Sequence, residues 1–83
     1  MSIDREGPVP PYVQIADALR GRIASGEIAP GKAIPSLVDM EQEFGVARDT
    51  LRKAVKVLKD AGLVHTVSGL GTFVVDKPPT PGS

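Results

Sequence analysis

The chain contains no cysteine, which excludes a disulfide framework, a thiolate metal site and a cysteine nucleophile. It has no tryptophan, and Tyr12, Phe44 and Phe73 are its only aromatics, so valine, leucine, isoleucine and alanine must fill most of the interior. With 83 residues, such a chain supports one compact core of modest stability. Neither charge sign is in surplus, because ten basic residues balance ten acidic ones. Any positive surface must therefore come from how the charges are distributed. No apolar run approaches the roughly 18 residues of a membrane span, and the first eleven residues lack the basic-then-apolar layout of a signal peptide. A soluble cytoplasmic protein without a membrane partner is expected. One histidine, His65, is too few for a metal cluster. So small a core also leaves no room for an enclosed ligand cavity of roughly 300 Å³.

The distribution of charge is uneven. Between positions 48 and 59 stand Arg48, Arg52, Lys53, Lys56 and Lys59 with one acid, Asp49, whereas Asp39, Glu41 and Glu43 lie just upstream. That is the pattern of a dipolar molecule with a local positive face. The acids have no nucleophile or metal partner in view and are read as a solvated helix face.

Residues 1–10 and 77–83 are rich in proline, glycine and polar residues and read as flexible tails, which leaves 11–76 as the folded domain. A first helix begins at Pro11, where a proline sacrifices no helical hydrogen bond. Its apolar face is Tyr12, Ile15, Ala16, Leu19 and Ile23, and Gly26 ends it. Lys32 to Pro35 is long enough only for a brief strand. Ser36 then caps a second helix with Leu37, Met40 and Phe44 as its buried stripe and Asp39 completing a capping-box pattern. After the turn Gly45-Val46-Ala47, a third helix spans 48–61, with Leu51, Ala54, Val55 and Leu58 inward and the basic residues outward. Two β-prone runs, 63–67 and 72–75, flank Ser68-Gly69-Leu70-Gly71 as a glycine-tipped hairpin. The fold class is α+β, mainly α: a winged helix-turn-helix with three helices, a short strand and a C-terminal β-hairpin wing.

Two helices joined by a short glycine-containing turn place the start of the second against the major groove of DNA. Arginine there can donate two bonds to guanine, and a threonine hydroxyl reaches base or phosphate. On that geometry Arg48, Asp49, Thr50 and Arg52 face the duplex. The bland reading is that a basic outer helix face is merely solvated, and the added hairpin tips the balance against it. Gly69-Leu70-Gly71 lacks the third glycine and the following helix of a nucleotide-binding loop. It is read as a wing turn. His65 is read as an ordinary strand residue.

Three stretches carry a family resemblance. Pro10 to Ile15, Ile23 to Gly31 and Ile34-Pro35-Ser36 resemble the opening of a GntR-family head domain. Phe44-Gly45-Val46-Ala47-Arg48-Asp49-Thr50-Leu51-Arg52-Lys53-Ala54 resembles its recognition segment. Gly62-Leu63-Val64 and Gly69 to Val74 resemble its wing. The resemblance covers residues 10–75 in order, and it implies a bacterial transcription regulator, commonly a repressor, in which this domain is followed by an effector-binding, dimerising one. Residue by residue it implies DNA contacts from Ser36, from Arg48, Thr50 and Arg52, and from Ser68 and Gly69; Asp49 and Lys53, on the outer face of the third helix, complete the candidate set. Three departures stand out: Val38 replaces a base-contacting arginine, Ala47 a capping serine or threonine, and Thr66, Val67 and Leu70 basic wing residues.

The expected partner is therefore double-stranded DNA with a pseudo-palindromic operator bound by two copies that associate weakly or not at all when free. No catalytic residue, cofactor or metal is expected, and an enzyme is disfavoured by the missing cysteine, the lone histidine and the lack of a cofactor motif. The alternative is a winged-helix protein-interaction module that has lost DNA binding, favoured by the zero net charge and depleted wing. The constellation Arg48, Thr50 and Arg52 speaks against it.

Overall fold

The computed structural model describes residue 3 and residues 6–75. The segment expected as a C-terminal tail lies outside these residues. Three helices form in sequence, α1 (Pro11–Ser25), α2 (Leu37–Phe44) and α3 (Arg48–Asp60), and are followed by the strands β1 (Val64–Val67) and β2 (Gly71–Val74). This is the α+β winged helix, mainly helical, that the apolar spacing implies.

Each helix boundary has a local cause. Pro11 occupies the first position of α1, and a left-handed Gly26 closes it. At eight residues, α2 is far too short to persist alone. Its ends are secured instead: Asp39 N–H donates to Ser36 Oγ at 3.1 Å, and Gly45 N–H returns to the Glu41 carbonyl at 2.9 Å. Helix α3 stops at Asp60 with Ala61 as cap. There Gly62 N–H donates to Lys59 O and Leu63 N–H to Leu58 O, at 2.9 and 3.0 Å, the paired closure that satisfies the last carbonyls of a helix.

The wing strands sit one residue from their expected bounds at three of their four ends. Leu63 gives its N–H to the closure of α3, so β1 starts at Val64, and Gly71 joins β2 opposite Val67. The antiparallel register pairs Val64 with Val74, His65 with Phe73 and Thr66 with Thr72. The brief strand expected at 32–35 is a single bridge, Ala33 to Phe73. Ile34 N–H donates to Thr72 O at 2.9 Å and Val74 N–H to Lys32 O at 2.8 Å. Pro35 has no N–H with which to continue the ladder. Even so short, this pairing covers the outer edge of β2 and fixes the wing to the body.

One buried cluster joins the elements: Ile15, Ala16 and Leu19 of α1; Met40 and Phe44 of α2; Leu51, Ala54, Val55 and Leu58 of α3; Ile28 and Ile34 of the connection; and Val64 and Val74 of the wing. Tyr12 and Ile23, expected on the same stripe of α1, pack at its margin. Within the segment expected as an N-terminal tail, Ile3 also packs against this cluster, and Gln14 Nε2 donates to Val9 O at 2.7 Å. Arg22 links α1 to α2 through an ion pair with Glu43 and lies over the Phe44 ring, 5.7 Å from its centroid.

Gly21 is an exposed interior position of α1 where an added Cβ meets nothing within 4 Å. Glycine there costs about 1 kcal/mol relative to alanine. Gly21→Ala should raise the melting temperature, by roughly 4–8 °C for a domain of this size. A thermal melt followed by circular dichroism checks this, and a lowered melting temperature would contradict the open surface at this position.

Candidate nucleic-acid interface

The site is built on the outer face of α3. Four inward residues, Leu51, Ala54, Val55 and Leu58, are buried. At 100° per residue, Arg48, Arg52, Lys56 and Lys59 then fall within an arc of about 80°. All four line one surface groove of about 1020 Å³ that runs between α3, the start of α2 and the wing. It is an open trough rather than an enclosed ligand cavity. On the opposite wall stand Thr66, Leu70 and Thr72 of the wing. Its end is closed by Ser36 and Val38, where α2 begins.

The turn between α2 and α3 sets the angle at which α3 is presented. Gly45 takes φ +66°, a left-handed conformation that costs glycine little and other residues more. Ala47 is the N-cap of α3 and offers no side-chain hydrogen bond. The Arg48 and Asp49 amides therefore receive no side-chain cap and can meet an outside acceptor such as a phosphate oxygen, whereas Thr50 N–H donates to Ala47 O at 3.1 Å. Asp49 lies in that same first turn, favourably placed against the helix dipole.

Of the residues expected to contact DNA, the groove brings together Ser36, Arg48 and Arg52. Asp49 is exposed beside them and accepts from Arg52 Nη1 at 3.3 Å. Thr50 is half-buried, Lys53 is exposed, and neither lines the groove. Ser68 and Gly69 form the exposed wing turn beyond Leu70, with Leu70 N–H closing onto Val67 O at 3.0 Å. Gly69 holds φ +79° there. Sequence reasoning left Lys56, Lys59, Thr66 and Thr72 out of the site. Helical spacing would have found Lys59, since it lies eleven residues after Arg48, and the two threonines follow only from the strand register.

The acids upstream of α3 are not the solvated face expected of them. One Glu41 carboxylate oxygen accepts from Arg48 Nε at 2.9 Å and lies 2.7 Å from Nη2. Glu43 holds Arg22 in the ion pair between α1 and α2. Both are half-buried, and only Asp39 of the three is exposed. The reason is tertiary: the turn folds α2 back beside the start of α3, bringing residues seven apart in sequence into contact. Lys56 is likewise paired, with Asp60 at 2.9 Å. The positive face inferred from clustering is real in position and reduced in strength. Lys53 and Lys59 have no ion-pair partner among the described residues.

Among the described residues, no helix is long and apolar enough to cross a membrane. Among the described residues three large apolar side chains are exposed, Val9, Val38 and Leu70, and the last two, 53% and 74% exposed, stand on the rim of this groove. These are two of the positions where the GntR resemblance led to a basic residue. They make the rim apolar where charge would have been expected.

Comparison with known proteins agrees with this architecture. Residues 11–74 match the family described as bacterial regulatory proteins, gntR family. The chain is 38% identical over 74 residues to the HTH-type transcriptional repressor NagR of Bacillus subtilis (strain 168), covering 89% of this chain and 30% of NagR. It is 41% identical over 71 residues to the mannosyl-D-glycerate transport/metabolism system repressor MngR of Escherichia coli (strain K12), covering 86% of this chain and 30% of MngR. The chain thus spans about 30% of the length of these curated relatives. Among solved structures, AraR(DBD) in complex with operator ORX1 superposes with a TM-score of 0.84 at 36% identity, covering 90% of this chain and 95% of that one. YtrA from Sulfolobus acidocaldarius, a GntR-family transcription factor, gives a TM-score of 0.80 at 36% identity, covering 90% and 79%. Because the family match runs from the first residue of α1 to the last of β2, the chain belongs to the gntR family of bacterial regulatory proteins.

Proposed function

We propose that the chain binds double-stranded operator DNA sequence-specifically, as the DNA-binding part of a cytoplasmic, nucleoid-associated transcription regulator. The observation that carries this reading is the alignment of Arg48, Arg52, Lys56 and Lys59 along one groove walled by the wing. In this reading α3 enters the major groove, with Arg48 and Arg52 toward base edges. The N-terminus of α2 at Ser36 and the wing turn at Ser68 and Gly69 offer backbone N–H groups to phosphates. Asp49, Thr50 and Lys53 complete the contact set. AraR(DBD) is a structural neighbour held on operator DNA, and NagR and MngR are repressors. Repression is the outcome we assign by likeness to them, and no enzymatic role is assigned.

A second reading has one specific observation behind it. Every groove arginine already has a carboxylate partner, and the rim exposes Val38 and Leu70. That would suit a protein-interaction module. Electrophoretic mobility shift with random genomic fragments at low salt separates the two, since retarded, competable complexes require the DNA reading and their absence favours the module.

Two copies are expected to bind one pseudo-palindrome, one α3 per half-site, with the free chain largely monomeric. Sedimentation with and without DNA checks this. A tight dimer in the absence of DNA would contradict it.

Arg48→Ala and Arg52→Ala should each cost on the order of 1–3 kcal/mol on the best site if the contact is bidentate. Both side chains lie off the apolar stripe, so the fold should persist. Equal losses on specific and random DNA would reassign them as phosphate contacts.

The pairing of arginines with acids bears on salt dependence. With about three phosphates neutralised per chain, chiefly by Lys53, Lys56 and Lys59, the slope of log affinity against log salt should be near −3 per chain, from roughly −0.9 per phosphate. A titration of affinity against salt that gives a slope steeper than about −5 would reveal further basic contacts.

A further inference from the structure

The ion pairs along the recognition face are not alike. Arg52 with Asp49 and Lys56 with Asp60 are pairs within one helix, at 3.3 and 2.9 Å, and their side chains are 62% to 89% exposed. Such contacts exchange readily with solvent or phosphate. Arg48 with Glu41 differs in two respects. It joins separate helices across the turn, and one carboxylate oxygen accepts from Nε at 2.9 Å and lies 2.7 Å from Nη2. The Glu41 side chain is 36% exposed and that of Arg48 47%.

The guanidinium carries its five N–H donors in a rigid planar fork. Glu41 occupies the edge formed by Nε and Nη2. What remains is the opposite edge, the two hydrogens of Nη1 and the second hydrogen of Nη2, in a plane fixed by the carboxylate. Two parallel donors in one plane are what guanine accepts through O6 and N7. A phosphate, by contrast, can be reached from many directions by a freely swinging side chain. The carboxylate also places a negative charge close to the base-reading arginine, which weakens attraction to any backbone regardless of sequence.

We infer that Glu41 is a positioning residue for sequence recognition: it holds Arg48 in the orientation that reads guanine and suppresses its use as a general phosphate contact. This rests on the proposed DNA reading of Arg48. Glu41 contributes little to the fold in this role, because a half-exposed ion pair adds little stability. It acts on the ratio between specific and non-specific binding. Glu41 thereby gives a chain with no net charge a source of discrimination that does not depend on strong electrostatic attraction.

The test uses the full chain. A preferred site is selected from a random duplex library by the wild-type protein. Affinities are then measured for that site, for a random duplex, and for the site with its guanines replaced singly by deazaguanine, which lacks the N7 acceptor. Arg48→Ala identifies the guanine that Arg48 reads, because deazaguanine there no longer costs affinity. Glu41→Ala should tighten binding to random DNA, lower the ratio of specific to random affinity by about tenfold, and largely remove the deazaguanine penalty at that one position. Glu41→Gln, whose amide oxygen still accepts, should keep part of the penalty while random binding rises. Thermal melts of both variants should match the wild type. If Glu41→Ala strengthens specific and random binding equally and the penalty survives, Glu41 is only a competing charge and the inference fails. It fails equally if neither affinity changes. Should the wild-type chain select no site at all, the proposed DNA reading falls and this inference with it.

Discussion

The packing of α3 against α1 is the constraint on which the rest of the structure depends. Ile15 and Leu19 on one side and Leu51, Ala54 and Leu58 on the other are all completely buried. Each leucine or isoleucine so placed contributes roughly 1.5–3 kcal/mol by its removal from water. Once that stripe is buried, the rotation of α3 about its own axis is settled, and Arg48, Arg52, Lys56 and Lys59 have one direction in which to point. Helix α2 cannot stand alone at eight residues. It is held by Met40 and Phe44 in the same cluster and by the link from Glu43 to Arg22. The direction in which the basic face points is thus a by-product of the core.

The electrostatics follow from the same packing. With no net charge, the chain has no general attraction for a polyanion, and the local surplus on α3 is offset by Glu41, Asp49 and Asp60. Exposed pairs of this kind add between nothing and about 1 kcal/mol to stability, so their significance lies in what they do to recognition. On the proposed DNA reading they lower the share of affinity that comes from phosphates and raise the share that must come from base edges and shape.

The wing departs furthest from a basic DNA-contacting element. Its groove-facing residues are Thr66, Leu70 and Thr72, and the two threonine hydroxyls lie 3.4 Å apart across the strands. Hydroxyls, an apolar tip and open amides of the glycine-containing turn can meet sugar and phosphate without a long-range field. The bridge from Ala33 to Phe73 and the hydrogen bonds of Ile34 and Val74 anchor this hairpin to the body. It is therefore held as a fixed wall of the groove.

Most of the fold was legible in the sequence, because helices and hairpins announce themselves locally. The 3.6-residue spacing of Ile15, Leu19, Leu51 and Leu58, the serine at position 36 and the glycines at 26, 45 and 69 each act through neighbours a few residues away. Arg48, Arg52 and Ser36 were found as site candidates for that reason, and the departures at Val38 and Leu70 were visible as side chains of the wrong chemistry. Tertiary structure decided what local rules cannot reach. It turned Thr50 half inward and left Lys53 off the groove, brought Lys59 into it, and reduced the expected strand at 32–35 to one bridge. Above all it converted Glu41 and Glu43 from a supposed solvated face into partners of Arg48 and Arg22. A carboxylate interacts through space over a few ångströms, and which cation lies within that distance depends on how the helices fold together, whereas the helices themselves depend on hydrogen bonds four residues apart.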